Sequence, residues 1–301
     1  MAEGTDEDDE LASNLNALDI APLSGSSSSK ANDKESKEGH SSFQQILILD
    51  AGYGFPREKK VRKEKINAIS SQLSNFLIWQ TGKTGLATKE CQYAAVRVVG
   101  CPDENTSKLL ESRTIENMKR AHSLSSALNL HDNNLPSHVT ITCETLEECL
   151  EDIDTTRAAA CTTTTYDENI GKPVYLSPDA NESLDPSGKP PKIAIVGLLI
   201  DRRVQPNRSR DRAKKIGIVA RRWPLEDIFA EIDSREPLNV DCVLEGMQQW
   251  WWNWYQLTAN NRNNDGTGDL LVKRETFIQA ASQAIEHHAK RHPSRPLHIT
   301  K

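Results

Sequence analysis

The fold is decided by an apolar stretch that ends in an acid, Ile193-Ala194-Ile195-Val196-Gly197-Leu198-Leu199-Ile200-Asp201. Its apolar part is much shorter than the roughly 18–20 residues of a membrane span, and it is typical of a strand buried on both faces. Such strands form parallel sheets that helices cover. Ligands of these folds bind at the carboxyl ends of the strands, so Asp201 stands where a functional acid is expected. The alternative is an acid that caps a turn and pairs with Arg202.

Strand and helix patterns alternate on both sides of this stretch. Short apolar runs predict further strands at residues 46–49, 93–99, 138–142, 173–176 and 218–220. Helical patterns lie between and after them, at residues 57–77, 109–118, 146–153, 209–216, 225–232, 243–254 and 277–285. The repeated strand-helix-strand order predicts an α/β domain, with a parallel sheet flanked by helices.

The charge of the chain is unevenly distributed. Its net charge is −6, but residues 1–42 alone hold ten acidic residues against three lysines. This segment has no periodic apolar pattern, so we predict a disordered, acidic and Ser-rich tail. We assign residues 43–256 to the folded domain, and residues 257–301 to a polar loop and an amphipathic C-terminal helix packed on that domain.

The amino terminus is acidic where a secretory signal has a basic start and an apolar stretch. We therefore expect an intracellular protein, in the cytoplasm or nucleus, without a membrane partner. The six cysteines include no CxxC pair, and His287, His288 and His292 have no cysteine or carboxylate partner at metal-ligand spacing. We predict no metal site and expect these histidines at the surface.

A second strand that ends in an acid is found in Leu49-Asp50-Ala51-Gly52-Tyr53-Gly54. An acid and two glycines after a buried strand form the pattern of a turn that binds a nucleotide-like cofactor in Rossmann-type folds. Ordinary turns after buried strands need glycines as well. Both interpretations stay open: Asp50, Gly52 and Gly54 either bind a cofactor or shape a turn.

Basic residues are concentrated after Asp201. From Asp201 to Arg222 there are nine basic residues and two acids. This concentration in a near-neutral domain predicts contacts with a phosphate backbone, and the alternative is a solvated helix face. A second basic run begins the helix at residues 57–77. The predicted contact residues are Arg202, Arg203, Arg208, Arg210, Arg212, Lys59, Lys60, Arg62 and Lys63.

Four stretches, taken in order, resemble the tRNA (guanine-9-N1)-methyltransferases, a branch of the SPOUT superfamily. They are Ile48-Leu49-Asp50-Ala51-Gly52-Tyr53 with the following Ser70-Ser71-Gln72-Leu73, then Val174-Tyr175-Leu176-Ser177-Pro178-Asp179, then Val196-Gly197-Leu198-Leu199-Ile200-Asp201, and finally Ala213-Lys214-Lys215-Ile216-Gly217-Ile218 with Arg221-Arg222-Trp223-Pro224-Leu225. The resemblance covers about residues 43–256.

The resemblance implies a SPOUT-type α/β domain with a C-terminal trefoil knot, S-adenosylmethionine as cofactor, tRNA as partner and a monomeric chain. Asp201 occupies the position proposed in the family for removing the proton from the methylated purine nitrogen. The basic residues named above would then bind tRNA. The cofactor-binding positions carried over are Leu176, Ser177, Gly197, Leu198, Ile218, Arg222, Leu225, Leu238, Asn239 and Val240.

Two other functions stay open beside this one. The first is a Rossmann-type methyltransferase that binds its cofactor with Asp50, Gly52 and Gly54. The second is a non-catalytic RNA-binding protein that keeps the SPOUT fold, because Leu198 stands where the family has a second glycine.

Overall fold

The computed structural model describes residues 45–81, 93–123, 134–160, 171–199, 206–227, 238–260 and 269–292. In this part of the chain six parallel strands form one sheet, in the order β3-β2-β1-β5-β4-β6. The strands are β1 (Ile46–Asp50), β2 (Ala95–Val99), β3 (Val139–Ile141), β4 (Val174–Leu176), β5 (Ile193–Gly197) and β6 (Val219–Arg221). The stretch that decided the prediction therefore supplies β5, which lies between β1 and β4.

Helices cover both faces of the sheet. They are α1 (Lys59–Thr81), α2 (Glu104–Ser123), α3 (Leu146–Ala160), α4 (Arg208–Lys215), α5 (Val240–Asn260) and α6 (Asp269–Arg291). Leu47 and Leu49 of β1 pack in one buried cluster with α1, α2, α5 and α6, whereas Ile48 packs in a second cluster with α3 and α4. This alternation follows from the period of two in a strand. The predicted α/β architecture, a parallel sheet flanked by helices, is confirmed.

Local patterns explain most of these elements. The predicted apolar stripe of α1 is buried throughout, from Ile66 to Leu77. The helix predicted at residues 225–232 is described only as a 3₁₀ turn, Leu225–Asp227, and its remainder lies outside the described residues. The predicted acidic tail also lies outside them. None of the six helices in the described ranges combines the length and apolar character that crossing a membrane requires.

The last two helices hold a correction. His288 on α6 is only 4% exposed, so its predicted surface position is wrong. The ring faces the buried carboxylate of Asp241 at the start of α5. These two residues are far apart in sequence, so a search for ligands at short spacing could not find the pair.

Candidate active site

The carboxyl ends of four neighbouring strands meet at one edge of the sheet. Asp50 of β1 pairs in register with Gly197 of β5, and Leu176 of β4 lies between Val196 of β5 and Arg221 of β6. The segments that follow these strands, including Ser177, Leu198 and Arg222, therefore begin side by side. This is the edge at which open parallel sheets bind their ligands.

The turn after β4 is anchored to its neighbours. The backbone N–H of Ser177 donates to the carbonyl of Arg221 at 2.9 Å. Its hydroxyl lies 2.6 Å from that of Ser209 on α4, and both side chains are buried. Ser177 thus connects the end of β4 with β6 and with the basic helix.

Arg222 holds the same turn from the other side. Its guanidinium donates to the carbonyls of Ala180 and Asn181, at 3.2 and 2.6 Å, and pairs with Glu226 at 3.3 Å. The Arg222 side chain is thus bound to two main-chain carbonyls and to the Glu226 side chain. At this predicted cofactor position the side chain therefore holds the turn in place.

The turn after β5 begins with a glycine that has no room for a side chain. A Cβ atom on Gly197 would lie 2.8 Å from the hydroxyl of Tyr53. The next residue, Leu198, donates its N–H to the carbonyl of Asp50 at 2.9 Å and buries its side chain in the cluster on the α1 face. The leucine that replaces the family's second glycine is therefore a core residue here.

The segment before α5 is held by α1. The side-chain carbonyl of Gln72 accepts the N–H of Val240 at 2.9 Å. Gln72 belongs to the quoted stretch Ser70–Leu73, but nothing in its pattern assigned it a role. Val240 shares its buried cluster with Leu176, Leu198 and Leu225, and Leu238 packs against that cluster. Asn239 lies between the two and is half-buried.

Ile218 does not join this edge. It precedes β6, whose first residue Val219 pairs with Val174 at the start of β4, so Ile218 lies at the amino ends of the strands. Its side chain packs against the cluster on the α4 face. Among the predicted cofactor residues in the described ranges, Ile218 is the one that the register places at the opposite edge.

The carboxylate of Asp50 is fully buried and already has donors. It accepts the backbone N–H of Gly52 at 2.8 Å, the hydroxyl of Tyr175 at 3.0 Å and the Nε–H of Arg212 at 3.1 Å. Arg212 extends to Glu147 on α3, with both contacts at 3.2 Å. Asp50 therefore shapes its turn through a buried ion pair, which disfavours the Rossmann-type interpretation, because that interpretation needs this acid for a ligand.

Two tyrosines connect Asp50 to the turn after β5. The Tyr175 hydroxyl donates its hydrogen bond to Asp50, so the Tyr53 hydroxyl is the donor to the Tyr175 oxygen, at 2.5 Å. Burial raises the pKa of both hydroxyls, and the negative charge of Asp50 raises it further. Both tyrosines stay protonated, and the Tyr53 hydroxyl is held against Gly197.

Some of the basic side chains contact other groups of the protein, and others are exposed. On α4, Arg212 belongs to the Asp50 ion pair, Arg208 donates to the carbonyl of Tyr53 at 3.1 Å, and Arg210 donates to the Asp179 carbonyl at 3.4 Å. Arg212, which the sequence predicts as an RNA contact, is thus engaged with Asp50 and Glu147 within the protein. On α1, Arg62 donates to the carbonyl of Pro56 at 3.1 Å. Three lysines of α1 are exposed: Lys59, Lys60 and Lys63.

These contacts bring the two basic helices to the same loop. Arg208 of α4 holds the carbonyl of Tyr53, and Lys65 of α1 donates to the carbonyl of Gly54 at 2.9 Å. The beginnings of α1 and α4 thus flank residues 53–56, directly after β1. Asp201, Arg202 and Arg203 lie outside the described residues.

Asp179 fixes the point at which the chain enters α4. Its carboxylate accepts the backbone N–H of Asn207 at 2.6 Å. Asn207 has a φ of 63°, a left-handed conformation that asparagine tolerates better than most residues. The end of the segment that carries Asp201 is therefore anchored to the turn after β4.

The fold is an α/β sheet in which the ends of β1, β5, β4 and β6 meet at one edge, the edge at which ligands of open parallel sheets bind. The sequence model of the family described as tRNA (guanine(9)-N(1))-methyltransferase TRM10/TRM10A matches residues 56–256. This match covers two thirds of the chain, so the chain belongs to that family. The predicted family, its S-adenosylmethionine-dependent reaction and its tRNA substrate are confirmed at this level.

Solved structures of lower similarity accompany this match. The spTrm10 complex with SAH is 15% identical, covers 80% of this chain and 96% of that chain, and has a TM-score of 0.45. The dual-specific Trm10 of Thermococcus kodakaraensis is 13% identical over 80% of this chain and 99% of that chain, with a TM-score of 0.38. The yeast arginine methyltransferase SFM1 complexed with SAM is 13% identical over 67% and 65%, with a TM-score of 0.35. No curated protein matches in a direct comparison.

Proposed function

We propose that this chain transfers a methyl group from S-adenosylmethionine to N1 of guanine 9 in tRNA, at the edge formed by β1, β5, β4 and β6. The observation that carries the proposal is the register that sets Ser177, Gly197 and Arg222 side by side at the ends of their strands. The reaction follows from membership of the family, and the edge is where we expect the cofactor to bind.

The residues at the edge suit the cofactor. An adenine needs a narrow apolar slot and main-chain hydrogen bonds, because few side chains are required to recognise it. Leu176, Leu198, Leu225 and Val240 belong to one buried apolar cluster, and Leu176 lies beside the strand that ends at Gly197. We assign cofactor binding to these residues with Ser177, Leu238 and Asn239, and a supporting role to Arg222.

The reaction requires one proton to leave the substrate. When bound, S-adenosylmethionine supplies an electrophilic methyl group on its sulfonium. As guanine N1 forms the new N–C bond, the S–C bond breaks and N1 gives up its proton. We assign Asp201 as the acceptor of that proton, since it follows β5 by a few residues and a carboxylate is ionised at neutral pH.

The proposed tRNA surface spans the beginnings of α1 and α4. Lys59, Lys60 and Lys63 are exposed on one side of the loop at residues 53–56, and Arg208 and Arg210 begin the helix on the other side. We add Arg202, Arg203 and Arg62 to this surface and remove Arg212. Positive charge on both sides of one loop suits a curved phosphate backbone.

We also propose the SPOUT-type trefoil knot near the C-terminus. Support comes from two backbone hydrogen bonds between the residue after β6 and the segment after β4. The N–H of Arg222 donates to the carbonyl of Glu182, and the carbonyl of Arg222 accepts the N–H of Leu184. A monomer located in the cytoplasm or nucleus, with residues 1–42 as a separate acidic tail, completes the proposal.

The test is methyl transfer to two tRNA transcripts that differ only at position 9, guanine in one and adenine in the other. With the full chain and labelled S-adenosylmethionine, we expect N1-methylguanosine from the first transcript and no label in the second. Label in neither transcript, together with tRNA binding, would favour the non-catalytic RNA-binding protein. N1-methyladenosine in the second transcript would overturn the assignment to guanine.

The role of Asp201 is tested in the same assay. We expect Asp201→Asn to lower kcat roughly 10²-fold while the affinity for tRNA is retained, because a positioned base contributes at least that much. Asp211→Asn is the matched control, since Asp211 is an exposed acid on α4. Equal activity of the two variants would contradict the proton transfer to Asp201.

A further inference from the structure

A second group of titratable side chains lies between α5 and α6. Asp241 and Glu245 follow one another at a spacing of four on α5, and both are almost completely buried, with exposures of 0% and 1%. The end of α6 brings His288, Arg291 and His292 against them. Neither the fold nor the methyl-transfer reaction requires histidines at this place.

Asp241 and Glu245 share one arginine, Arg291. Arg291 contacts Glu245 through Nη1, and its Nη2 lies 3.4 Å from Asp241 Oδ2. Asn75 of α1 donates to the same oxygen at 3.2 Å. Within the described ranges, Arg291 is the one Lys or Arg side chain that pairs with either acid. Asp241 Oδ1 accepts the backbone N–H of Cys242 at 3.0 Å, and because a carboxylate offers about four lone pairs, Asp241 can still bind an ion.

The histidines are spaced for a bridging ion. His288 Nδ1 lies 4.0 Å from Asp241 Oδ1, and His292 Nε2 lies 3.8 Å from Asp241 Oδ2. Both distances are too long for hydrogen bonds. One atom from each of the three residues lies within 4.8 Å of the other two. Zinc holds such atoms at about 2.0–2.2 Å from itself, so shifts of about 1 Å would complete the coordination.

We propose that Asp241, His288 and His292 bind one divalent metal ion of the zinc class. Two imidazoles and a carboxylate form a borderline set that zinc accepts, with the fourth position open to water. His292 Nε2 is a buried atom with no hydrogen-bond partner among the residues that the structure describes. The ring as a whole is 30% exposed, which gives the ion a path from solvent.

The neighbouring residues have complementary roles. Asn75 orients the Asp241 carboxylate, as outer partners of metal ligands do. Arg291 Nη1 contacts Glu245 Oε1, so this second acid is engaged outside the proposed ligand set. Because Asp241 lies in the first turn of α5, and His288 and His292 lie in the last turn of α6 and directly after it, the ion would tie the last helix to the domain.

The test uses the full chain after treatment with a chelator. We expect ZnCl2, at about 100 times its Kd, to raise Tm by roughly 5–10 °C, and CoCl2 to give visible absorption bands of a four-coordinate ion at one equivalent. The variant His292→Gln should weaken metal affinity by more than the roughly 10–100-fold that outer-partner changes cost. It is chosen because His292 follows the end of α6 and its replacement leaves the helix intact.

The control is His287→Gln, which removes the neighbouring histidine that contacts Glu245 at 3.3 Å but lies outside the ligand set. Its metal affinity should equal that of the unmodified chain. Absence of cobalt bands and of a Tm shift in the unmodified chain would show that the cluster binds no metal ion. Equal metal affinity in His292→Gln and His287→Gln would place the ion elsewhere, and either result overturns the proposal.

Discussion

The Asp50 cluster and the Asp241 cluster are both buried and ionic, yet they differ in how completely their charges are partnered. Asp50 has three donors within 3.1 Å, one of them the guanidinium of Arg212. Asp241 accepts the backbone N–H of Cys242 at 3.0 Å and the side-chain amide of Asn75 at 3.2 Å, and it shares Arg291 with Glu245. The two histidine nitrogens that face Asp241, however, stop at 3.8 and 4.0 Å. We call the Asp50 cluster closed, because the groups that face the acid lie within hydrogen-bond distance of it. We call the Asp241 cluster open, because two imidazole nitrogens that face the acid lie too far from it for a hydrogen bond and leave room for an ion.

This difference also separates the two acids that follow buried strands. Asp50 and Asp201 follow neighbouring strands of the sheet, and both looked functional in the sequence. The partners of Asp50 come from β4 and α4, so its carboxylate is used within the protein. Our proposal therefore keeps Asp201, and not Asp50, as the proton acceptor.

Arg212→Ala should produce the largest change in stability. It leaves the fully buried Asp50 without its cation, so we expect a decrease of about 3–5 kcal/mol in the free energy of unfolding by urea. Lys215→Ala on the same helix is the control, because that side chain is exposed and should matter by less than about 0.5 kcal/mol. Unchanged stability with weaker tRNA binding would restore the RNA contact that the sequence predicted for Arg212.

Glu245 should make the open cluster sensitive to pH. Burial raises the pKa of Glu245 to about 8, against 4.5 in an unfolded chain, although Arg291 opposes this. Between these values the folded state keeps a proton that the unfolded state releases, so the free energy of unfolding falls as pH rises and levels off above about 8. We expect a fall of about 2–4 kcal/mol, measured with chelator present.

Glu245→Gln isolates this effect. The variant has no proton to release, so its free energy of unfolding should lack that decline with pH. Parallel curves for the variant and the unmodified chain would contradict the raised pKa of Glu245.

Tyr175→Phe probes the closed cluster more gently. It removes the hydroxyl that donates to Asp50 and accepts from Tyr53, so we expect the free energy of unfolding to fall by about 1–2 kcal/mol in thermal or urea experiments. Tyr255→Phe, at a residue that is 39% exposed, should cost less than about 0.5 kcal/mol. A neutral Tyr175→Phe would mean that the remaining donors satisfy Asp50.

Exposed lysines should affect tRNA binding and leave stability nearly unchanged. For Lys59→Ala with Lys60→Ala, we expect the slope of log affinity against log salt to fall by roughly 0.7–0.9 for each phosphate that these lysines neutralise. Lys108→Ala with Lys119→Ala is the matched control, with two exposed lysines on α2. If both pairs change the slope equally, the surface at the beginning of α1 has no special role.

Local sequence patterns predict the strands and helices, whereas the roles of the site residues depend on partners that are distant in the sequence. The apolar stretch of β5 and the apolar stripe of α1 can be recognised from the sequence alone, because burial follows the period of a strand or a helix. The role of Asp50 depends on Tyr175 and Arg212, which lie 125 and 162 residues further along the chain. Ile218 is predicted near the cofactor because it lies next to other positions that match the family. The register of β6 places it at the opposite edge of the sheet.

A co-crystal structure of the full chain with S-adenosylhomocysteine would show where the cofactor binds. We predict that the ligand lies at the ends of β5, β4 and β6, with its adenine against main-chain groups of the segments at Ser177, Gly197 and Leu238–Val240. The carboxylate of Asp50 should keep its contacts with Tyr175 and Arg212. A ligand bound to the Asp50 carboxylate and to the turn at Gly52 and Gly54 would contradict the assignment and restore the Rossmann-type interpretation.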